Sequence, residues 1–239
     1  MLRLQRISSY LAVGVSGVIV FTPLAYRLSV VPLGVAFVLF AVGVGLGLVS
    51  ALVIGVSLIR TGVDSSKSFA TLALCIVGCV VAIPLMSILS AVGAPAIHDI
   101  TTDMLDPPRF VEAVQYVTPG RTVYGGDELS NQQREAYPDI TPIMVAKSPD
   151  EAFSLALEVA RDMGWENIVS NAGEQRIEAT DTTWWFGFVD DIVIRIRSEE
   201  IGSRIDVRSL SRVGVGDLGE NAARIRRFRD ALNARQCLF

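Results

Sequence analysis

Three uninterrupted apolar runs, roughly residues 7–25, 30–59 and 68–92, decide what this chain can fold into, because none of them contains a charged side chain. An α-helix needs ~20 residues to cross the hydrocarbon core of a bilayer, and each run is near or above that length. Lipid offers nothing to an unpaired backbone N–H or C=O, so a run of this kind closes its hydrogen bonds internally, as a helix. The runs predict a three-helix transmembrane anchor over residues 1–93, with a kink in the third helix at Pro84.

Arg3 and Arg6 precede the first run, Arg60 and Lys67 separate the second from the third, and only Arg27 stands in the short link between the first and second. Positive charge stays on the cytoplasmic side. The expected topology therefore keeps the N-terminus and the 60–67 loop inside and delivers everything after the third helix to the outer face, which for a bacterial inner membrane is the periplasm. A basic start followed by an apolar stretch also fits a signal peptide. No small-x-small cleavage site follows it, and removing it would leave the other two helices oriented as before.

Gly43, Gly47, Ala51 and Gly55 recur every four residues in the second run, which aligns them along one side of a helix where a neighbouring backbone can approach closely. Thr71, Cys75 and Cys79 form a second row of small side chains in the third run. The groove serves either as the seam of a homodimer or, more simply, as the packing line inside one three-helix bundle. Ionisable residues at mid-membrane mark transport paths. The runs have none, so the helices read as an anchor in the lipid bilayer.

From His98 onward 24 acidic residues face 16 basic ones, whereas residues 195–239 alone hold 10 basic against 6 acidic. Nucleic acid demands a basic footprint, and this balance excludes it as a partner. Cys75 and Cys79 lie in a membrane run and Cys237 is alone, which rules out a disulfide framework.

Residues 94–147 are dense in turn formers, among them Pro107, Pro108, Pro119, Gly120, Pro138 and Pro142, and read as an extended juxtamembrane connector. An α+β domain is expected over 148–239. Ser148-Pro149-Asp150-Glu151 is a capping box with proline at the first helical position, so a helix starts at Pro149 and ends at Gly164. Four segments, 165–170, 176–182, 190–197 and 204–210, are spaced as an antiparallel meander sheet. Ile192, Ile194 and Ile196 alternate with Val193, Arg195 and Arg197, while Ile205 and Val207 alternate with Arg204, Asp206 and Arg208, giving one apolar and one charged face. A last helix, capped by Asp217 and Glu220, carries Leu218, Ala222, Ile225, Phe228 and Leu232 as its stripe and Arg224, Arg226, Arg227 and Arg229 on its other side. Both flanking helices belong on the isoleucine face, which leaves the charged face to solvent, to the connector or to a partner.

Gly214-Val215-Gly216-Asp217-Leu218-Gly219 has the spacing of a dinucleotide fingerprint. An antiparallel strand precedes it, no strand follows, and Asp217 would stand where the pyrophosphate belongs, so it reads as a turn into a capped helix and no cofactor is expected. His98, Asp99 and Asp103, with Asp106, have the chemistry of a divalent-cation site but no rigid scaffold, and read as a polar turn. No serine or cysteine finds a histidine partner in the folded part. The charged face presents Asp191, Arg195, Arg208 and Arg212 on neighbouring strands. Trp184-Trp185-Phe186-Gly187-Phe188 crowds aromatics into the turn between the second and third strands, and period-two alternation sends Trp184 and Phe186 to the charged side.

The segments Ile97-His98-Asp99-Ile100-Thr101-Thr102-Asp103, Asp106-Pro107-Pro108, Trp185-Phe186-Gly187-Phe188-Val189-Asp190-Asp191, Asp206-Val207-Arg208-Ser209 and Ser211-Arg212-Val213-Gly214 through Asp217-Leu218-Gly219-Glu220-Asn221-Ala222 resemble the family named domain of unknown function 1499, in its membrane-bound bacterial form. The likeness covers most of residues 97–235. It implies the architecture above and brings no activity and no catalytic residues with it. The resulting expectation is a non-enzymatic inner-membrane protein whose periplasmic domain binds a partner protein or an envelope molecule through Trp184, Phe186, Asp191, Arg195, Arg208 and Arg212. The alternative is a hydrolase or transferase acting on an envelope substrate through Asp191, Arg195 and Arg208. A concave pocket on the charged face would favour a small molecule, and a flat face a protein.

Overall fold

The computed structural model describes residues 2–61, 68–90 and 92–236. The chain divides into two compact units, Met1–Val92 with Trp184–Gly187, and Gly93–Thr183 with Phe188–Phe239.

In the first unit, α1 (Leu2–Arg27), α2 (Leu33–Thr61) and α3 (Ser68–Ser90) are each long and apolar enough to cross a membrane. Large apolar side chains cover their outer surface, with Leu52 68% and Ile59 85% exposed, a pattern that suits lipid. Ser9, Ser16 and Thr22 donate their hydroxyls to the carbonyls of Gln5, Ala12 and Val18 at 2.6–2.8 Å, so these groups need no water. The glycine row is used inside the chain. A Cβ on Gly43 would fall 3.0 Å from Ile19 Cγ1, and one on Gly47 would fall 3.0 Å from Val81 Cγ2. The bundle's own side chains thus fill the groove at Gly43 and Gly47; elsewhere in the row, Gly55 has open space around it and Ala51 is half-buried. Cys75 and Cys79 are exposed, and it is Val77 and Val81 that meet α2 from α3. Cys237 and Lys67 lie outside the described residues.

The second unit is an α+β layer. Strands β1 (Asp99–Thr101), β2 (Ile143–Val145), β3 (Glu166–Asn171), β4 (Arg176–Thr182), β5 (Val189–Ser198) and β6 (Ser203–Ser211) form one antiparallel sheet ordered β1-β6-β5-β4-β3. β2 also pairs with β6. The register sets Ile177 and Val207 opposite Ile194, and Ile196 opposite Ile205, so the β-branched residues share one face. On that face α5 (Pro149–Asp162) and α6 (Glu220–Gln236) close the core, where Trp165 stacks on Phe228 at 5.4 Å. The Ser148 capping box forms, and Gly164 ends the first turn beyond α5 with φ +74°, a value open to glycine at little cost.

Residues 94–147 are more structured than their turn formers suggest. β1 and β2 sit on the outer edge of β6, with Asp99 opposite Leu210 and Ile143 opposite Ile205, and so cover an edge that would otherwise offer free ladder groups. Between them runs α4 (Gly126–Ala136). Its buried Gln133 locks β1 in place: the amide nitrogen donates to the Thr101 carbonyl at 2.6 Å and the amide oxygen accepts from the Thr101 N–H at 3.0 Å.

Two positions assigned to the last helix by periodicity behave differently. Leu218 precedes α6 and is 64% exposed, while Arg224, expected on the polar side, is only 1% exposed. At this end of the sheet the core-facing residues are Asp181, Asp190 and Ser209, so the inward side of α6 has to be polar there. Arg224 donates to Asp181 Oδ2 and Asp190 Oδ2 at 2.7 Å each and to Ser209 Oγ at 3.0 Å. Asp217 caps α6 by accepting from the Gly219 and Asn221 N–H groups, both at 2.8 Å.

Candidate binding cleft

The second face of the sheet is covered by the segment that follows β1. Arg208, 2% exposed, donates through Nε and Nη2 to both oxygens of Asp99 at 2.9 and 2.7 Å, through Nη1 to the Pro108 carbonyl and through Nη2 to the Thr122 carbonyl. The rings of Phe110 and Tyr124 lie 5.0 and 5.3 Å from its guanidinium carbon. Nearby, Asp103 and Asp106 of the covering segment and Asp206 of β6 share Arg195, Arg197 and Arg204. Burial pushes the Asp206 carboxyl above its ordinary range, against the pull of Arg204. Glu178 accepts from the N–H groups of Val111, Glu112 and Ala113 at 2.8–3.1 Å and pairs with Arg176. Of the three occupants expected for the charged face, solvent, the connector or a partner, it is the connector that covers most of it. The guanidinium groups of the face meet carboxylates of the same unit, and carboxylates supplied by residues 99–106 are the reason.

Where this covering segment turns, at residues 112–116, a cleft of about 210 Å³ remains. Its walls are Glu112, Ala113, Gln115 and Tyr116 on one side and Asn167, Val169, Glu178, Thr180, Asp191 and Arg212 on the other. Arg212 grips Asp191 with two bonds, Nε to Oδ2 at 2.9 Å and Nη2 to Oδ1 at 2.8 Å, and its guanidinium carbon lies 5.2 Å from the Tyr116 ring centroid. Asp191 is 1% exposed, and burial raises its carboxyl pKa while Arg212 opposes the shift. β3 shifts register between Glu166 and Val169, and Asn167 takes φ +51° there. Such a bulge re-aims a side chain; here the Asn167 amide turns to donate to Thr180 Oγ1 at 2.9 Å on the cleft wall.

Of the six residues expected to form a binding face, Asp191 and Arg212 line this cleft, while Arg195 and Arg208 are engaged elsewhere on the same face. Trp184 and Phe186 do not join them. β4 ends at Thr182 and β5 begins at Val189, so the alternation that placed both aromatics on the charged face does not reach them. They belong to the helical unit, where Phe186 lies 5.2 Å from Phe40 and 5.7 Å from Phe37, and Trp184, 75% exposed, accepts from Arg27 Nη1 through its carbonyl. The His98, Asp99 and Asp103 set does not converge, because Asp99 holds Arg208 and Asp103 holds the arginines of β5 and β6. Among the described residues no group of three or more His, Cys, Asp or Glu side chains is placed to hold a metal ion. Sequence reasoning missed Glu112, Tyr116 and Asn167, which carry no local pattern that separates them from ordinary turn residues.

Three helices of membrane-crossing length and composition, followed by an α+β layer whose second face is strapped by ion pairs, define the class of this protein: an α+β domain with an apolar helical N-terminal region suited to anchoring it in a membrane. The chain belongs to the family described as Protein of unknown function (DUF1499), whose model matches residues 99–232. The match begins at β1, so the covering segment and its carboxylates lie within the matched region. No curated protein matches the chain significantly.

Proposed function

We propose that this is an inner-membrane protein whose α+β unit stands on the outer, periplasmic side and binds a small polar envelope molecule in the cleft walled by Asp191 and Arg212. The observation that carries this reading is the cleft itself. A flat charged face would have suited a protein partner, whereas a concave space of about 210 Å³ with preformed polar walls suits a small molecule. The lining holds the carboxylates of Glu112, Glu178 and Asp191; Arg176 pairs with Glu178 and Arg212 with Asp191, so the charge left over is that of Glu112. That balance disfavours an anion and favours a ligand that donates hydrogen bonds. Of the three residues in the hydrolase or transferase reading only Asp191 lines the cleft, which favours binding over turnover.

The full chain, purified in detergent from its native membrane, is expected to retain a small polar molecule that mass spectrometry detects after denaturation. Tyr116 is 63% exposed, so Tyr116→Ala empties no core. It should lower occupancy roughly tenfold by removing an aromatic wall of the cleft. Equal retention by the variant would remove the cleft as the binding site, and recovery of a chemically altered molecule would revive the enzyme.

The outward placement rests on Arg3, Arg6, Arg60 and Lys67 against Arg27 alone. A reporter that works only in the periplasm should be active when fused after Phe239 and silent between Arg60 and Lys67. Reversed activities would put the cleft in the cytoplasm.

A further inference from the structure

We propose that the glycine-punctuated loop between β6 and α6 rests in the lipid headgroup layer, with Val215 and Leu218 turned into the bilayer. Val215 is 80% and Leu218 64% exposed. Single exposed apolar side chains are ordinary, but Leu218 is held out at a cost, since its φ of +57° lies in the left-handed region that disfavours residues with a Cβ. Structure that maintains strain of this kind is often functional.

The loop is firmly seated. The Asp217 N–H donates to the Ile97 carbonyl at 3.2 Å, and a Cβ on Gly216 would lie 3.2 Å from Ala96 Cα. It therefore packs on residues 96–97. The residues it packs on begin only a few positions after Ser90, the last residue of α3. Six extended residues span at most about 20 Å, so Ala96 cannot stray far from the end of a helix suited to the membrane. Arg121, which donates to the carbonyls of Ser211 and Gly214, adds a basic side chain to the same lip. Apolar residues flanked by a basic one are what a segment lying in the interface presents. The occupant of this surface is the bilayer to which the chain is tethered, whichever side of the membrane the unit occupies and whatever the cleft binds.

The test uses the full chain with Cys75, Cys79 and Cys237 changed to serine, reconstituted in phosphatidylcholine vesicles. Single spin labels go on Val215→Cys, on Leu218→Cys and, as the aqueous control, on Ile201→Cys. Ile201 is 85% exposed in the turn at the opposite end of β6. Labels at 215 and 218 should collide several-fold less with a water-soluble nickel chelate than the label at 201, and more with oxygen. Equal nickel accessibility at all three positions would overturn the proposal. Protection of 215 and 218 from both relaxants would overturn it too, since that pattern reports cover by protein instead of lipid.

Discussion

Replacing Arg208 by methionine is expected to destabilise the α+β unit by about 3–5 kcal/mol, because it strips a buried carboxylate of its partner while the strap keeps water away. Asp99 is 2% exposed and receives two bonds from this guanidinium, and the carbonyls of Pro108 and Thr122 lose their donor at the same time. A double variant supplies the control. Arg208→Met combined with Asp99→Leu removes both buried charges and should recover part of the loss, since apolar replacements of a buried pair are often tolerated. Arg227→Ala, whose side chain is 52% exposed beside Glu220, should change stability by no more than about 1 kcal/mol. Near-ultraviolet circular dichroism of the full chain in detergent follows unfolding of the layer through Trp165. A deficit in Arg208→Met no larger than that of Arg227→Ala would mean that the strap is not clamped by this pair.

Arg224→Met should cost a comparable 3–5 kcal/mol or so at neutral pH, with a different dependence on acid. Burial raises the Asp190 carboxyl pKa, and Arg224 is the largest influence opposing that rise. An acid whose folded pKa lies above its unfolded one binds more protons when folded, so its contribution to stability is full below the unfolded value and is lost as pH climbs through the folded one. Without Arg224 the folded value rises further and the loss continues to higher pH. The deficit of the variant relative to the parent should therefore narrow as pH is lowered toward the ordinary carboxylate range. A deficit that stays constant across that range would show that Asp190 is neutralised by another group.

The elements that the sequence disclosed are those with a strict period or a local chemical signature. Alternating isoleucines located β5 to within a residue at each end, and Ser148 to Glu151 placed the start of α5 because a capping box is a short-range device. α4 escaped notice because Gly126–Ala136 has no apolar stripe; it is held by Gln133, whose partner Thr101 is remote in sequence. The covering strap escaped for a related reason. Nothing in the spacing of Asp99, Asp103 and Asp106 says that they will meet Arg208, Arg195 and Arg204, since ion pairs impose no period. Arg224 and Leu218 were misplaced by an assumption that a helix stripe stays apolar to its end, which fails where the sheet beneath it turns polar. On the strand wall of the cleft Asp191 and Arg212 were legible as charge on adjacent strands, whereas Asn167 on that wall and the wall contributed by the 112–116 turn were not.

The pairing of β1 with β6 also dictates the order in which the molecule can be finished. Asp99 lies opposite Leu210, so the earliest strand of the layer has no partner until more than a hundred later residues have been made. At common rates of translation that wait is on the order of ten seconds. During it β4 and β5 can pair as a local hairpin, but Asp99, the strap and the cleft roof have nothing to close on, and contacts this distant in sequence are slow to form. A chain that stops short of β6 would expose the acidic strap and an unpaired β5 edge, surfaces on which proteases act. Completeness is thus checked by the fold itself, since the last strand made is the one that holds the first.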